Sequence, residues 1–345
     1  MRLNWMNYRF WNYDGYGRYG AHFVRALARL GVNVMPMVTE CVMELPGWMQ
    51  RMAGYDFTGL SIGCMPPYCL PHLPGEVWSL TMAEGTRLAA GWAANLNAKA
   101  RRVIVPCEHN RRAFVDSGVT IPVHIVPGGT SPEEFPLLER RQDRPYTILA
   151  LADRGARKGW VEVWDAFYKA FGSPAQTPNV RLVIKTRPHT NDLVDRIMGA
   201  QGLDRRVSFW THSVESMADV YAQVDCFAIP SHSEGWGMPP REAAMSGLPV
   251  IVTRYSGLDD GHTEEWAAVV LERSRIEKVP ATYADALAGE WCKADIGELA
   301  EAMRWCYDHP DEAHAKGHAG AAWLRANQTW EHAARQMIAL IEEYA

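Results

Sequence analysis

The sequence predicts an α/β protein built from two doubly wound parallel sheets. Three observations carry that expectation. The chain has 345 residues, too many for one ordinary core and enough for two domains of about 150 residues each. Short runs of Val, Ile and Leu alternate with helical patterns twice over, and such runs belong to parallel sheets covered on both faces. Between the two blocks lies GGTSPEEFPLLERRQDRP, residues 128–145, which is polar, charged and proline-punctuated like a linker.

The first block opens with the short strand RLNWM. A helix over Arg18–Leu30 follows, with Phe23, Val24, Leu27 and Leu30 on one face and Gly31 as its stop, and then the strand VNVMPMV. YDFTGLSIG reads as a third strand. The loop PPYCLPHLPG leads to the strand EVWSLTM, a helix around Arg87–Lys99 and the strand RRVIVP; a helix over Glu108–Ser117 and the strand VHIVP close the block. The second block runs YTILALA, the helix Trp160–Phe171, VRLVIKT, a helix around Asn191–Ala200, and VSFW. A helix over Val214–Gln223 precedes DCFAIPS, and a helix from near Pro239 to a Gly247 stop precedes PVIVT. Residues 255–295 show no clear period, and from Ile296 onward the chain reads as helix. Two such domains on one linker place a cleft between the carboxyl ends of their strands, where these folds bind ligands.

Composition narrows the classes. Apolar residues make up 48% and charged residues 22%, the balance of a soluble globular protein. No apolar run approaches the roughly 20 residues of a membrane span, and MRLNW opens no signal-peptide core, so the cytoplasm is expected, with a peripheral membrane position left open. Seven scattered cysteines without a CxxC pair suit free thiols rather than a disulfide or zinc framework; Cys64 and Cys69 in the Pro-rich loop, and His309, His314 and His318 on a polar helix, add no metal site. The net charge of −5 gives no global pull toward nucleic acid or anionic lipid. Lys99, Arg101, Arg102, Arg111 and Arg112 form a local basic cluster, read as a solvated helix face or as a landing site for an anionic acceptor such as a lipid phosphate or DNA.

Three stretches carry chemistry. DGYGRYG, residues 14–20, spells G-x-G-x-x-G with Glu40 at a dinucleotide-like distance. A dinucleotide fold wants its first glycine directly after the strand, and here Asn7–Asp14 intervene, which counts against NAD. SHSEGWGMPPREAAMSGLP, residues 231–249, follows a strand: Gly235 and Gly237 admit close backbone approach, Pro239 and Pro240 suit a first helical turn, and Glu234 and Glu242 stand eight positions apart. LADRGARKGW, residues 151–160, offers Arg154, Arg157 and Lys158 before a helix, cations placed for a diphosphate.

EGWGMPPREAAMSGLPVIVT resembles the E-x7-E signature of retaining glycosyltransferases of GT-B fold, in particular glycosyltransferase family 4, and Lys158-Gly159 is similar to that family's Arg…Lys-Gly element. The resemblance covers nearly all of residues 100–345 and is strongest from 146 to 254. It implies two Rossmann-like domains facing each other across a cleft: residues 1–130 on the acceptor side, a linker over 131–145, and a nucleotide-sugar domain over 146–328, with the helix 329–345 packing back on the first. It implies a UDP-, GDP- or ADP-sugar as donor, no cofactor or required metal, and a glycan, lipid or small-molecule acceptor. In catalysis it gives Glu234 to the donor sugar and Lys158 and Arg154 to the leaving diphosphate. Donor binding falls to Glu242 at the ribose, with Gly235, Trp236, Gly237, Met238 and Arg157, and with Gly15 and Gly17 as a glycine-rich loop across the cleft. The acceptor side takes Glu84, Arg87, His109 and Arg18. The sequence departs from the family pattern at Gly128 and at Ala83-Glu84, where relatives commonly place histidine; Glu84 either substitutes for that histidine or serves a helix cap with Thr86. Alternatives weighed beside this are a transferase acting on hydroxylated DNA bases, a nucleotide-sugar epimerase, an NAD-dependent oxidoreductase, a pyridoxal-phosphate sugar phosphorylase and a sugar-binding protein.

Overall fold

The computed structural model of the chain describes residues 1–10, 15–39, 45–56, 58–139, 143–152, 156–186, 204–283 and 287–345. They fall into two units: Met1–Gly129 with Lys278–Glu290 and Gln328–Ala345, and Thr130–Glu277 with Trp291–Asn327.

In the first unit, β1 (Arg2–Asn7), β2 (Asn33–Val38), β3 (Leu60–Cys64), β4 (Val77–Leu80), β5 (Arg102–Val105) and β6 (Val123–Ile125) form one sheet in the order β2-β1-β3-β4-β5-β6, every neighbouring pair parallel. β3 and β4 are buried along their whole length, Ser61 and Ser79 included, as suits strands of a parallel sheet covered on both faces. The helix Gly15–Arg29 lays Tyr19, Phe23, Val24 and Leu27 against the sheet, and Phe23 stacks on Trp5 with ring centroids 5.5 Å apart. Gly20 is needed there, because a Cβ would run into the Asn7 side chain at the end of β1.

The C-terminal helix Trp330–Tyr344 belongs to the same unit, and Trp330 meets Tyr19 and Phe23 edge-on at 5.1 and 5.4 Å. Thr329 caps it: its Oγ1 accepts from the His332 N–H, and the His332 ring reaches back to the Thr329 N–H. Thr329→Ala should cost about 1 kcal/mol, read as a shift in the denaturant midpoint with an unchanged slope; no shift would mean that the cap contributes nothing.

In the second unit, β7 (Tyr146–Leu151), β8 (Val180–Lys185), β9 (Val207–Trp210), β10 (Cys226–Ile229), β11 (Val250–Thr253) and β12 (Val269–Leu271) run β12-β11-β10-β7-β8-β9, again all parallel. The strand order reverses between β7 and β10 here, and between β1 and β3 in the first unit. In open α/β sheets a ligand crevice opens at such points, outside the carboxyl ends of the strands.

Several expectations need correction. The first helix begins at Gly15, not Arg18, so Gly15 and Gly17 form its first turn instead of a loop. The helix expected over Arg87–Lys99 starts only at Trp92; Arg87 is extended and bridges Ala288. Thr86 caps no helix, and its Oγ1 accepts from the Glu290 N–H at 2.9 Å. The described residues of the linker expected over 131–145 belong to the second unit, with Phe135 buried and Arg144 forked onto Asp225 at 2.7 and 3.0 Å. Residues 255–295 contain a two-stranded sheet, β13 (Ser274–Lys278) with β14 (Glu290–Ala294), whose tip over Lys278–Glu290 counts with the first unit. The tail is three helices, Ile296–Asp308, Pro310–Asn327 and Trp330–Tyr344. Asp14, Glu40, Arg187 and the helix expected around Asn191–Ala200 lie outside the described residues. No helix among the described residues is long and apolar enough to cross a membrane.

Candidate functional site

The reversal point of the second unit brings two loops together, one after β7 and one after β10. Gly159 lets them approach: it sits at φ 71 as the N-cap of the helix Trp160–Phe171, and a Cβ on it would strike the Pro230 carbonyl. The His232 N–H donates to the Arg157 carbonyl at 2.7 Å, fastening one loop to the other.

Lys158 and Glu234 meet at this seam. Lys158 Nζ donates to both carboxylate oxygens of Glu234, at 2.7 and 2.9 Å, and Ser231 Oγ donates to Oε1 at 2.6 Å. Arg157 Nη1 lies 3.4 Å from Oε2 while donating to the Ser233 carbonyl at 2.7 Å. Glu234 is 4% exposed and Lys158 9%. Burial alone pushes the Glu234 carboxyl up, but the charges of Lys158 and Arg157 and the hydrogen bonds from Lys158 and Ser231 outweigh it, holding the pKa at about 2. The site is therefore a carboxylate already neutralised by a buried cation. Arg154, expected beside Lys158, lies outside the described residues.

The loop continues through Gly235 and Trp236 to Gly237, the left-handed N-cap (φ 80) of the helix Met238–Met245. Pro239 and Pro240 occupy its first turn, Met238 is half-buried, and Glu242 is buried at 3% exposure. Trp236 is 2% exposed, with the Arg241 guanidinium 3.8 Å from its ring centre. Arg241 is fully buried; it donates to the Trp236, Gly237 and Gly257 carbonyls and to the Asp260 carboxylate, the last at 2.5 Å. Sequence reasoning missed Arg241, Ser231 and the pair Glu162–His232 (3.2 Å), whose histidine immediately follows Ser231. The one available signal for Arg241 was a cation beside Glu242 in a helix otherwise made of Met, Pro and Ala.

In the first unit the reversal point holds Asn7 at the end of β1. Its Nδ2 donates to the Arg9 and Tyr16 carbonyls at 3.1 and 2.9 Å, and Tyr16 Oη pairs with Thr81 Oγ1 at 3.0 Å beyond β4. Burial raises the Tyr16 phenol well above its usual range, so it stays neutral. Glu84 is half-buried after β4, and His109 Nε2 lies 3.2 Å from the Gly85 carbonyl. Arg18 is half-buried on the first helix, Gly17 is buried and Gly15 exposed. Arg87 does not join them. Its Nη1 donates to the Asp116 carbonyl at 2.5 Å, at the far end of the helix Glu108–Asp116 from His109. The basic cluster is largely committed: Arg111 and Arg112 share Glu108, Lys99 Nζ donates to the Leu70 carbonyl, and Arg102 lies over the rings of Tyr344 and Trp78.

Two Rossmann-like units, each with polar groups gathered where its strand order reverses, define the GT-B class of fold. Residues 94–337 match the family described as family 4 glycosyltransferases in conflict systems, and the chain belongs to that family. It is 25% identical over 248 residues to a D-inositol 3-phosphate glycosyltransferase of Mycolicibacterium gilvum, covering 69% of this chain and 56% of that protein. To the corresponding protein of Mycolicibacterium smegmatis it is 27% identical over 172 residues, 48% of this chain and 34% of that one, so the match spans well under two thirds of either relative. Among solved structures it is similar to a sucrose-phosphate synthase from Thermosynechococcus elongatus, with TM-score 0.69, 17% identity, and 99% and 98% of the two chains covered. It is also similar to Anabaena HepE in complex with UDP-glucose, with TM-score 0.70, 13% identity, and 99% and 100% covered.

Proposed function

We propose that this chain is a retaining glycosyltransferase that moves a sugar from a nucleotide-diphosphate sugar to an acceptor hydroxyl. The observation that carries the reading is the Lys158–Glu234 pair at the β7/β10 reversal point, with buried Glu242 eight positions after Glu234 in the helix Met238–Met245. Preorganised cations and helix N–H groups at such a point stabilise charge that develops on a departing diphosphate. In this reading Lys158 and Arg157, with Arg154, face the diphosphate, Glu234 orients the sugar hydroxyls through its remaining lone pairs, and Glu242 binds the ribose. Gly235, Trp236, Gly237 and Met238 shape the turn against the donor, Trp236 from beneath it. Glu84, His109 and Arg18 take the acceptor side, Gly15 and Gly17 keep the donor-binding role, and Arg87 drops out.

The bond from the anomeric carbon to the phosphate oxygen breaks and the acceptor oxygen bonds on the same face. The acceptor proton passes to the leaving phosphate, so no dedicated side-chain base is required. A UDP-sugar is favoured by the structural likeness to a protein solved with UDP-glucose. Protein cations handle the diphosphate, so EDTA should leave the rate unchanged. A DNA-base acceptor is disfavoured by the internal pairing of the basic cluster.

Calorimetry with UDP-, GDP- and ADP-glucose beside NADH tests the class. One nucleotide sugar should bind and NADH should not; NADH binding without any nucleotide-sugar binding refutes the proposal. Glu242→Ala should weaken that binding by roughly 10–100-fold, the size of lost charge-assisted hydrogen bonds. Proton NMR of the product should show the donor's anomeric configuration, and inversion would end the retaining assignment.

A further inference from the structure

Ser256 is the only non-glycine residue with positive φ among the described residues, at φ 55. That left-handed conformation is unfavourable for any residue with a Cβ and is ordinarily filled by glycine, asparagine or aspartate. Here it sits in a short turn after β11 and is 2% exposed. Glycine would make the same turn without strain, so serine at this position calls for a reason of its own.

The reason lies in Glu234. Its N–H donates to Ser256 Oγ at 2.7 Å, and the N–H of the next residue, Gly257, donates to the Glu234 carbonyl at 2.9 Å. Two consecutive residues of the turn thus grip both sides of the Glu234 backbone, and the left-handed step at Ser256 lets them do so together. The turn is itself held, since Arg241 Nη2 donates to the Gly257 carbonyl at 3.2 Å. With glycine at 256 the Glu234 N–H would be buried without its acceptor.

We infer that Ser256 is a positioning residue for Glu234: its strained backbone is kept so that its hydroxyl fixes the Glu234 peptide, and with it the carboxylate that meets Lys158. The inference rests on the reading that Glu234 orients the donor sugar. It separates two properties that a merely structural role would keep together. Ser256→Ala loses the hydroxyl and keeps the strain, whereas Ser256→Gly loses the hydroxyl and releases the strain.

Both variants and the unmodified chain are compared by thermal melting, by NMR exchange of the Glu234 amide, and by steady-state kinetics with the nucleotide sugar that calorimetry identifies. Ser256→Gly should melt above Ser256→Ala. In both variants the Glu234 amide should exchange at least about tenfold faster and kcat should fall at least about tenfold, with donor KM moving less. Activity would then follow the hydroxyl while stability follows the backbone. Recovery of kcat in Ser256→Gly, or an amide as protected as in the unmodified chain, overturns the inference. An unmodified chain that binds no nucleotide sugar refutes the functional proposal instead, and the exchange measurement still decides whether Ser256 holds Glu234.

Discussion

Lys158→Ala is expected to lower turnover by about 10²–10³-fold and to cost the fold roughly 3–5 kcal/mol. Both effects come from the same pair. Lys158 covers both oxygens of a carboxylate that is 4% exposed, and its removal leaves that charge with Ser231 and with Arg157 at 3.4 Å. Desolvation, which in the intact site is overridden, would then dominate and raise the Glu234 pKa from about 2. The sign of the pH dependence follows. A carboxyl depressed in the folded state contributes stability that is full above its unfolded value and is lost as pH falls toward about 2. The stability gap between the unmodified chain and Lys158→Ala should therefore be widest at neutral pH and should narrow from pH 5 to pH 3, measured by urea unfolding at each pH. A gap independent of pH would mean that Lys158 does not hold Glu234 ionised.

The parts of this site that were legible in the sequence are those encoded by local spacing. Glu234 and Glu242 share one strand–loop–helix element, so their eight-residue separation could be read without knowing the fold. Lys158-Gly159 likewise sits between a strand and a helix that both announce themselves. The bond between Lys158 and Glu234 was not legible, because it joins residues 76 apart. It exists only because the strand order sets β10 beside β7, and nothing local to either segment encodes that adjacency.

The misreadings have the same origin. Arg87 looked like an acceptor-side cation because it follows Glu84 closely, yet its backbone pairs with Ala288, some 200 residues later in the chain, and its guanidinium turns to Asp116. The family resemblance places the glycines of DGYGRYG in a loop, and the low helix propensity of glycine agrees with that. Tertiary context overrides that propensity: Asn7 accepts the close approach of Gly20 and binds the Tyr16 carbonyl, and the helix starts at Gly15. Residues 274–294 gave no period because β13 is mostly exposed while β14 is mostly buried, so the pair shows no common alternation.

Arg241→Met should be the most destabilising single change in the signature, by roughly 3–5 kcal/mol. The guanidinium lies between Trp236 and Trp266, at 3.8 and 4.8 Å from their ring centres, and satisfies three backbone carbonyls as well as Asp260. Methionine fills a similar volume but leaves those carbonyls without a donor and the Asp260 carboxylate, 5% exposed, without its cation. Arg241→Lys should recover only part of the loss, because an ammonium cannot reproduce the planar fork or the stacking on both indoles. The pair with Asp260 can be separated from the rest by a double-mutant cycle. If burial of an unpaired charge is the main penalty, Asp260→Asn in the Arg241→Met background should restore on the order of 1–3 kcal/mol, while the same change alone should destabilise. Purely additive effects would place the cost in the lost carbonyl bonds and the indole packing. In that case the role of Arg241 would be to hold the Trp236–Gly237 turn, and donor KM should rise in Arg241→Met even where Asp260 has been neutralised.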